Sequence, residues 1–179
     1  MFNVSEPFKS APQAFKTSLQ KTTYAVLAEL GITFERVDTD EAITMNDCKI
    51  IEEKLKMKMV KTLFLCNRQQ TVFYIFITVG NKPFSSKDFS TALGVARTSF
   101  APKELFEEKL KAKIGAATIF SILADSQNEI QVVFDNDILK EKFYGCSDGT
   151  TTGYMKIQTD EIINKLLKYA KHDARIICI

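Results

Sequence analysis

Two apolar runs constrain this chain more than any other feature. Met59 to Cys66 and Val72 to Val79 are separated by the polar stretch Asn67-Arg68-Gln69-Gln70, so the pair reads as a β-hairpin. The second run is apolar almost without alternation, whereas a strand with one wet face alternates. It predicts a central strand covered on both faces. The rest of the chain must then supply cover to both sides of a sheet.

That cover is legible as helices. From Phe15, apolar side chains at Leu19, Val26 and Leu30 keep helical spacing up to Gly31. Thr44 is placed to cap a second helix, with Cys48, Ile51 and Leu55 on one face. Ser86 opens a third that ends at Gly94, and Pro102 sits at the first turn of a fourth running through Leu110. Thr159-Asp160-Glu161 caps the last, with Ile162, Ile163, Leu166, Leu167 and Ala170 inward. Ile32 to Val37, Ala117 to Leu123, Ile130 to Phe134 and Arg175 to Ile179 read as further strands, and Gly145 to Gly153 as a loop rich in Gly and Thr. Without a regular βαβ rhythm, the expected class is mixed α/β (α+β): a mixed, mainly antiparallel central sheet surrounded by helices. Residues 1–10 lack periodicity and read as a flexible N-terminal arm, and 11–179 as one domain. A chain of this size buries roughly two-thirds of its unfolded surface and needs no disulfide or metal to hold a core.

Charge and cysteines exclude several functions. With 24 basic and 22 acidic residues, the overall balance carries no nucleic-acid signature, so the placement of lysines matters more than their total. Cys48, Cys66, Cys146 and Cys178 form no C-x-x-C pair, and one histidine is present, so neither a zinc site nor any other metal or cofactor is expected. Cys48, Cys66 and Cys178 lie in apolar runs and read as buried thiols. No secretory apolar segment follows Met1 and no run approaches a membrane span, which gives the expectation of a cytoplasmic protein with no membrane partner.

No Ser-His-Asp set, Walker loop or Rossmann glycine pattern is present. His172, after Lys171 at the end of the last helix, reads as structural, so an enzyme here works without a histidine base. Lysines cluster at Lys49, Lys54, Lys56, Lys58 and Lys61. The first four read as a solvated face; Lys61 stands inside an apolar run, as a strand lysine that reaches solvent at an edge. Gly115-Ala116-Ala117-Thr118 reads either as a turn or as small residues that let a ligand approach backbone N–H groups able to hold an oxyanion.

Several of these segments resemble one family in order. Val60-Lys61-Thr62-Leu63-Phe64-Leu65 looks like the lysine-bearing strand of the YbaK/prolyl-tRNA synthetase-associated editing domains. Leu93-Gly94-Val95-Ala96-Arg97-Thr98-Ser99-Phe100-Ala101 resembles that family's LG-x-x-R-x-SFA stretch and is the most specific match. Gly115 to Asp125 is similar to its glycine loop, and Ile130 to Asp135 and His172 to Ile177 also fit, so the resemblance runs from about Tyr24 onward. It is nearest to stand-alone alanyl-tRNA(Pro) deacylases. It implies a trans-editing deacylase that hydrolyses the ester of a mischarged tRNA, alanyl-tRNA(Pro) or another small aminoacyl group, with the tRNA 3′ end and prolyl-tRNA synthetase as partners and no DNA.

By the same resemblance Lys61, Gly115 and Ala116 are the catalytic set. Lys61 would contact a phosphate or the terminal adenosine, and the other two would act through their backbone. Ser99, Ile119, Ser147, Thr151 and Thr152 would border the substrate, and water would attack with help from the substrate's own 2′-hydroxyl. Lys61 and Gly115 must then face one cleft. Two departures stand out: Ile119 occupies the proline of the Gly-x-x-x-Pro loop, and Ser147, Asp148 and Thr151 replace His, Pro and Asn of a Gly-Cys-His-Pro-x-x-Asn-Thr loop. They imply a roomier, less selective pocket. Two other readings stay open: a catalytically impaired homologue acting as a tRNA-end-binding or regulatory module, and a generic α/β domain with an unrelated ligand.

Overall fold

In the computed structural model, which describes residues 1–42 and 44–179, the two apolar runs pair as β2 (Val60–Asn67) and β3 (Phe73–Val79). Their antiparallel register runs from Val60 opposite Val79 to Cys66 opposite Phe73. The Asn67 carboxamide closes the turn, its Oδ1 accepting from the amides of Thr71 and Val72 at 2.8 and 3.1 Å. β4 (Thr98–Phe100) lies antiparallel to β2, while β5 (Ile130–Asp135) and β8 (Ala174–Ile177) continue in parallel on the other side, giving the order β4-β2-β3-β5-β8. A second, antiparallel sheet has the order β1-β7-β6, from β1 (Phe34–Asp38), β7 (Gly153–Gln158) and β6 (Phe143–Ser147).

β3 is covered on both faces, as its composition demands. Phe73, Ile75 and Ile77 face the main core. Its cover is α1 (Ser18–Glu29), α4 (Lys103–Leu110), a 3-10 helix (Ile119–Ala124) and the last helix. Tyr74 and Phe76 face the opposite layer, Phe89 and Leu93 of α3 (Ser86–Leu93). Each such side chain contributes about 1.5–3 kcal/mol by leaving water. The remaining face of the small sheet packs Val37 and Tyr154 on Ile51 and Leu55 of α2 (Met45–Leu55), whose start carries the expected Thr44 cap as a reciprocal box with Asp47. The last helix is continuous but not uniform: α5 (Thr159–Glu161), a π-helical stretch (Ile162–Leu166) and α6 (Leu167–Tyr169). Ahead of α1, Phe8 and Arg36 exchange backbone hydrogen bonds at 2.8 Å, which lays the N-terminal segment along β1. Among the described residues, no helix is long and apolar enough to cross a membrane.

Three local expectations are corrected. Ala117 to Leu123 is not a strand; Ile119–Ala124 coils into the 3-10 helix and buries Ile119, Phe120 and Ile122 in the main core. Thr118 caps it, its hydroxyl accepting from the Phe120 amide and donating to the Ser147 carbonyl at 2.8 Å. A short apolar run has no period that separates the two outcomes. The Gly145 to Gly153 segment is not all loop: Gly145, Cys146 and Ser147 pair with Lys156, Met155 and Tyr154, Gly153 opens β7, and residues 148–152 turn. Gly145 is required by space, since a Cβ there would lie 2.7 Å from the Lys58 carbonyl oxygen and 1.9 Å from Met57 Sδ. Cys48, on α2, is half-exposed, and Cys178 is exposed, because the alternation at the end of β8 buries Ile177 and turns its neighbour outward.

Candidate active site

The 148–152 turn, the start of α1, the end of α4 and the 3-10 helix enclose a cavity of about 790 Å³. That volume lies within the roughly 300–1,000 Å³ typical of small-ligand sites. Leu19, Ala112, Ala116 and Leu123 give it apolar walls, and hydroxyls come from Thr17, Ser18, Thr22, Thr150, Thr151 and Thr152. Lys16, Lys111, Lys113 and Glu107 supply its charged groups.

A buried carboxylate shapes the turn. Asp148 is 1% exposed, and its Oδ2 accepts from Gln20 Nε2 at 2.8 Å and from the Tyr24 hydroxyl at 3.0 Å. Its Oδ1 accepts from the Thr150 hydroxyl at 2.8 Å and the Thr150 amide at 3.2 Å. Burial beside this anion pushes the Tyr24 phenol far above its ordinary range, so Tyr24 stays a donor. One charge thereby joins α1 to the turn that forms the opposite wall.

The structure brings together four of the eight residues expected at the site. Ala116, Thr151 and Thr152 line the cavity. Gly115 stands beside them with φ +91°, a conformation that side chains rarely adopt, and a Cβ on it would lie 3.7 Å from Thr151 Cγ2. The Ala116 amide, however, donates to the Lys113 carbonyl at 2.9 Å, so it holds the turn instead of awaiting an oxyanion.

The other four are elsewhere. Lys61 and Gly115 do not share a cleft. Lys61 pairs with Thr78 on the face that carries Leu65, Phe76 and α3, because side chains alternate along β2, and its ammonium donates to the Lys82 carbonyl. Ser99 is exposed on β4, opposite Cys66. Ile119 is fully buried in the main core. Ser147 is 4% exposed and turned into the 148–152 segment, its Oγ donating to the Thr150 carbonyl at 2.6 Å and accepting from the Gly149 amide at 3.0 Å. Sequence reasoning missed the cavity's α1 and α4 walls. Nothing in their local pattern sets Lys16, Thr22 or Lys111 apart from ordinary surface residues.

No histidine or thiol serves this cavity among the described residues. His172 is buried, with Nδ1 at 2.6 Å from the Ala170 carbonyl and Nε2 at 2.8 Å from Asp125 Oδ2. Asp125 in turn accepts from the amides of Glu129 and Ile130, so the ring ties the last helix to the entry of β5. His172→Ala is therefore expected to lower unfolding stability by about 1–3 kcal/mol in urea titrations while the folded protein keeps its activity. Burial pushes the Cys146 thiol far up, and raises Cys66 less strongly, which denies both the thiolate needed for nucleophilic attack.

The aminoacyl-tRNA editing domain model matches residues 41–165, which include the Gly115 segment and the 148–152 turn but not α1. The chain is 26% identical over 120 residues to the prolyl-tRNA editing protein ProX of Acetoanaerobium sticklandii, covering 67% of this chain and 73% of that protein. It is 28% identical over 123 residues to prolyl-tRNA synthetase associated domain-containing protein 1 of Bos taurus, covering 66% and 71% respectively. Among solved structures, a proposed trans-editing enzyme for prolyl tRNA synthetase shares the fold, with TM-score 0.63 and 14% identity over 92% of this chain and 99% of that one. With more than half of its length matched by the domain model, the chain belongs to the aminoacyl-tRNA editing domain family.

Proposed function

We propose that this protein is a trans-acting aminoacyl-tRNA deacylase that hydrolyses the ester joining a small amino acid to the 3′ end of a mischarged tRNA. One observation carries the reading: the family's glycine segment and the 148–152 turn meet at a hydroxyl-lined cavity of about 790 Å³. An aminoacyl ester is already activated, so positioning water and stabilising the oxyanion supply much of the required barrier reduction. Thr152 is the best-placed donor. Its Oγ1 accepts from Lys16 Nζ at 2.5 Å, which leaves its own hydrogen to donate and polarises it. Water adds to the ester carbonyl, the carbonyl oxygen takes the negative charge, and the C–O bond to the ribose breaks. The attacking water's proton passes through the substrate's neighbouring hydroxyl to the departing 3′-oxygen, giving free amino acid and uncharged tRNA.

The apolar wall of Leu19, Ala112, Ala116 and Leu123 suits a short aliphatic side chain, and alanyl-tRNA(Pro) is the substrate we assign. Prolyl-tRNA synthetase is the source of that error and the functional partner, with the cytoplasm as the compartment. A single-turnover panel of alanyl-, cysteinyl- and prolyl-tRNA tests the assignment. Alanyl-tRNA(Pro) is expected to be cleaved, with cysteinyl-tRNA within about 200-fold of it, since a small change in an apolar pocket discriminates by only about 1–3 kcal/mol. Binding of tRNA without hydrolysis of any of the three would replace the deacylase with a tRNA-end-binding module.

A further inference from the structure

We propose that Lys16, Lys111 and Lys113 form a cationic rim that holds the backbone phosphates of the tRNA's unpaired 3′ end while the ester enters the cavity. The proposal rests on the deacylase reading and names the groups that hold the RNA there. Three exposed lysines converge on one cavity from segments nearly a hundred positions apart. Lys16 is fixed by two bonds, its amide to Gln20 Oε1 at 2.7 Å and its ammonium to Thr152 Oγ1 at 2.5 Å, neither of which neutralises its charge. Lys111 ends α4 with φ 54°, and the Lys113 carbonyl accepts the Ala116 amide to close the turn that carries Gly115. The phosphate rim and the glycine segment are therefore parts of one short loop.

Charge accounting supports a polyanionic ligand. Neither Lys111 nor Lys113 forms an ion pair among the described residues; Glu107 is the one carboxylate among the cavity's lining residues, and Glu41 reaches its edge by accepting from the Thr151 hydroxyl. The lysine cluster that stands out in the sequence is different: Lys54 and Lys58 are engaged by Glu6 and Glu141. The α1 N-terminus at the same cavity has no acidic residue in its first turn, so its amides add to the positive potential. A free amino-acid ester has no anion for such a rim to hold. An ester at the end of a phosphodiester chain places anions beside it and its own small head in the cavity.

The test uses the full chain and the double variant Lys111→Gln with Lys113→Gln, which leaves Lys16 and Thr152 in place. Binding of uncharged tRNA is measured across a salt series, and single-turnover hydrolysis is measured on alanyl-tRNA and on 3′-alanyl-adenosine, which has no phosphate. Two lost single-strand phosphate contacts are expected to reduce the slope of log K against log salt by about 1.4. Half-saturation on alanyl-tRNA should rise at least about tenfold, while the saturating rate and the rate on 3′-alanyl-adenosine stay unchanged. Lys111→Arg with Lys113→Arg should restore wild-type binding. An unchanged slope in a folded double variant overturns the rim. So does an equal loss of binding to a tRNA trimmed of its unpaired 3′ nucleotides, which would move the contact to the stem. If the slope falls but no ester is ever cleaved, the rim stands and the deacylase reading fails.

Discussion

Asp148→Ala is expected to lower unfolding stability by about 3–5 kcal/mol and to reduce deacylation at least about a hundredfold under conditions where the variant is still folded. The carboxylate is buried and accepts from four donors, the Gln20 amide nitrogen, the Tyr24 hydroxyl and both the amide and hydroxyl of Thr150. Removing it strands those donors, and each buried group left unpaired costs about 1–3 kcal/mol, partly recovered where water reaches Thr150. Activity falls further because the same bonds hold α1 against the turn that presents Thr151 and Thr152. Asp148→Asn separates the two effects. It keeps the side chain's size but offers an NH₂ group where a donor already stands, so it should be intermediate in stability and still poor in turnover. Urea titration followed by single-turnover assays at low temperature decides the matter. A loss below about 1 kcal/mol for the alanine variant would show that the turn is held by other contacts.

That carboxylate illustrates what the sequence shows and what it hides. Helix starts and stops are local chemistry, so the Thr44 cap and the Pro102 entry of α4 stand where the residues suggest. The unalternating β3 likewise declares that both its faces are covered, and Phe76 and Ile77 are both fully buried, on opposite sides. Lys61 is a different case. Its place in an apolar strand is legible, but which face it takes depends on register and on the layer packed above, and the strand's alternation sends it toward α3. Lys16 and Lys111 gain meaning only when α1 and the end of α4 close over the 148–152 turn, a juxtaposition with no local signature. The 3-10 helix is a third kind of miss, because six apolar and small residues fit either geometry until their neighbours choose.

The same tertiary dependence reverses an expectation about the loop that departs from its relatives. Aligned as sequence, Ser147→His with Thr151→Asn restores the family pattern and ought to sharpen selectivity. In the structure the two positions are unlike each other. Thr151 lines the cavity, and its hydroxyl donates to Glu41 Oε1 at 3.1 Å, so Asn there keeps a donor and exchanges a methyl for an amide. Ser147 is buried in β6 with its hydroxyl in two bonds inside the turn and its carbonyl accepting from Thr118. Ser147 is not among the residues that line the cavity, so an imidazole there must displace packed neighbours. Overpacking costs about 1–3 kcal/mol, and the lost hydroxyl adds about 1 kcal/mol or more. Ser147→His is accordingly expected to destabilise by about 2–4 kcal/mol and to lower turnover, whereas Thr151→Asn alone stays within about 1 kcal/mol of wild type and shifts the ratio of alanyl- to cysteinyl-tRNA cleavage. The double variant should track the histidine in stability, since the Thr151→Asn exchange makes no room for a ring. Denaturation midpoints for both singles and the double, with the two-substrate ratio for each folded protein, test the set. A stable, faster Ser147→His enzyme would mean that the 148–152 turn opens to seat the ring toward the cavity, and that Asp148 does not hold it closed.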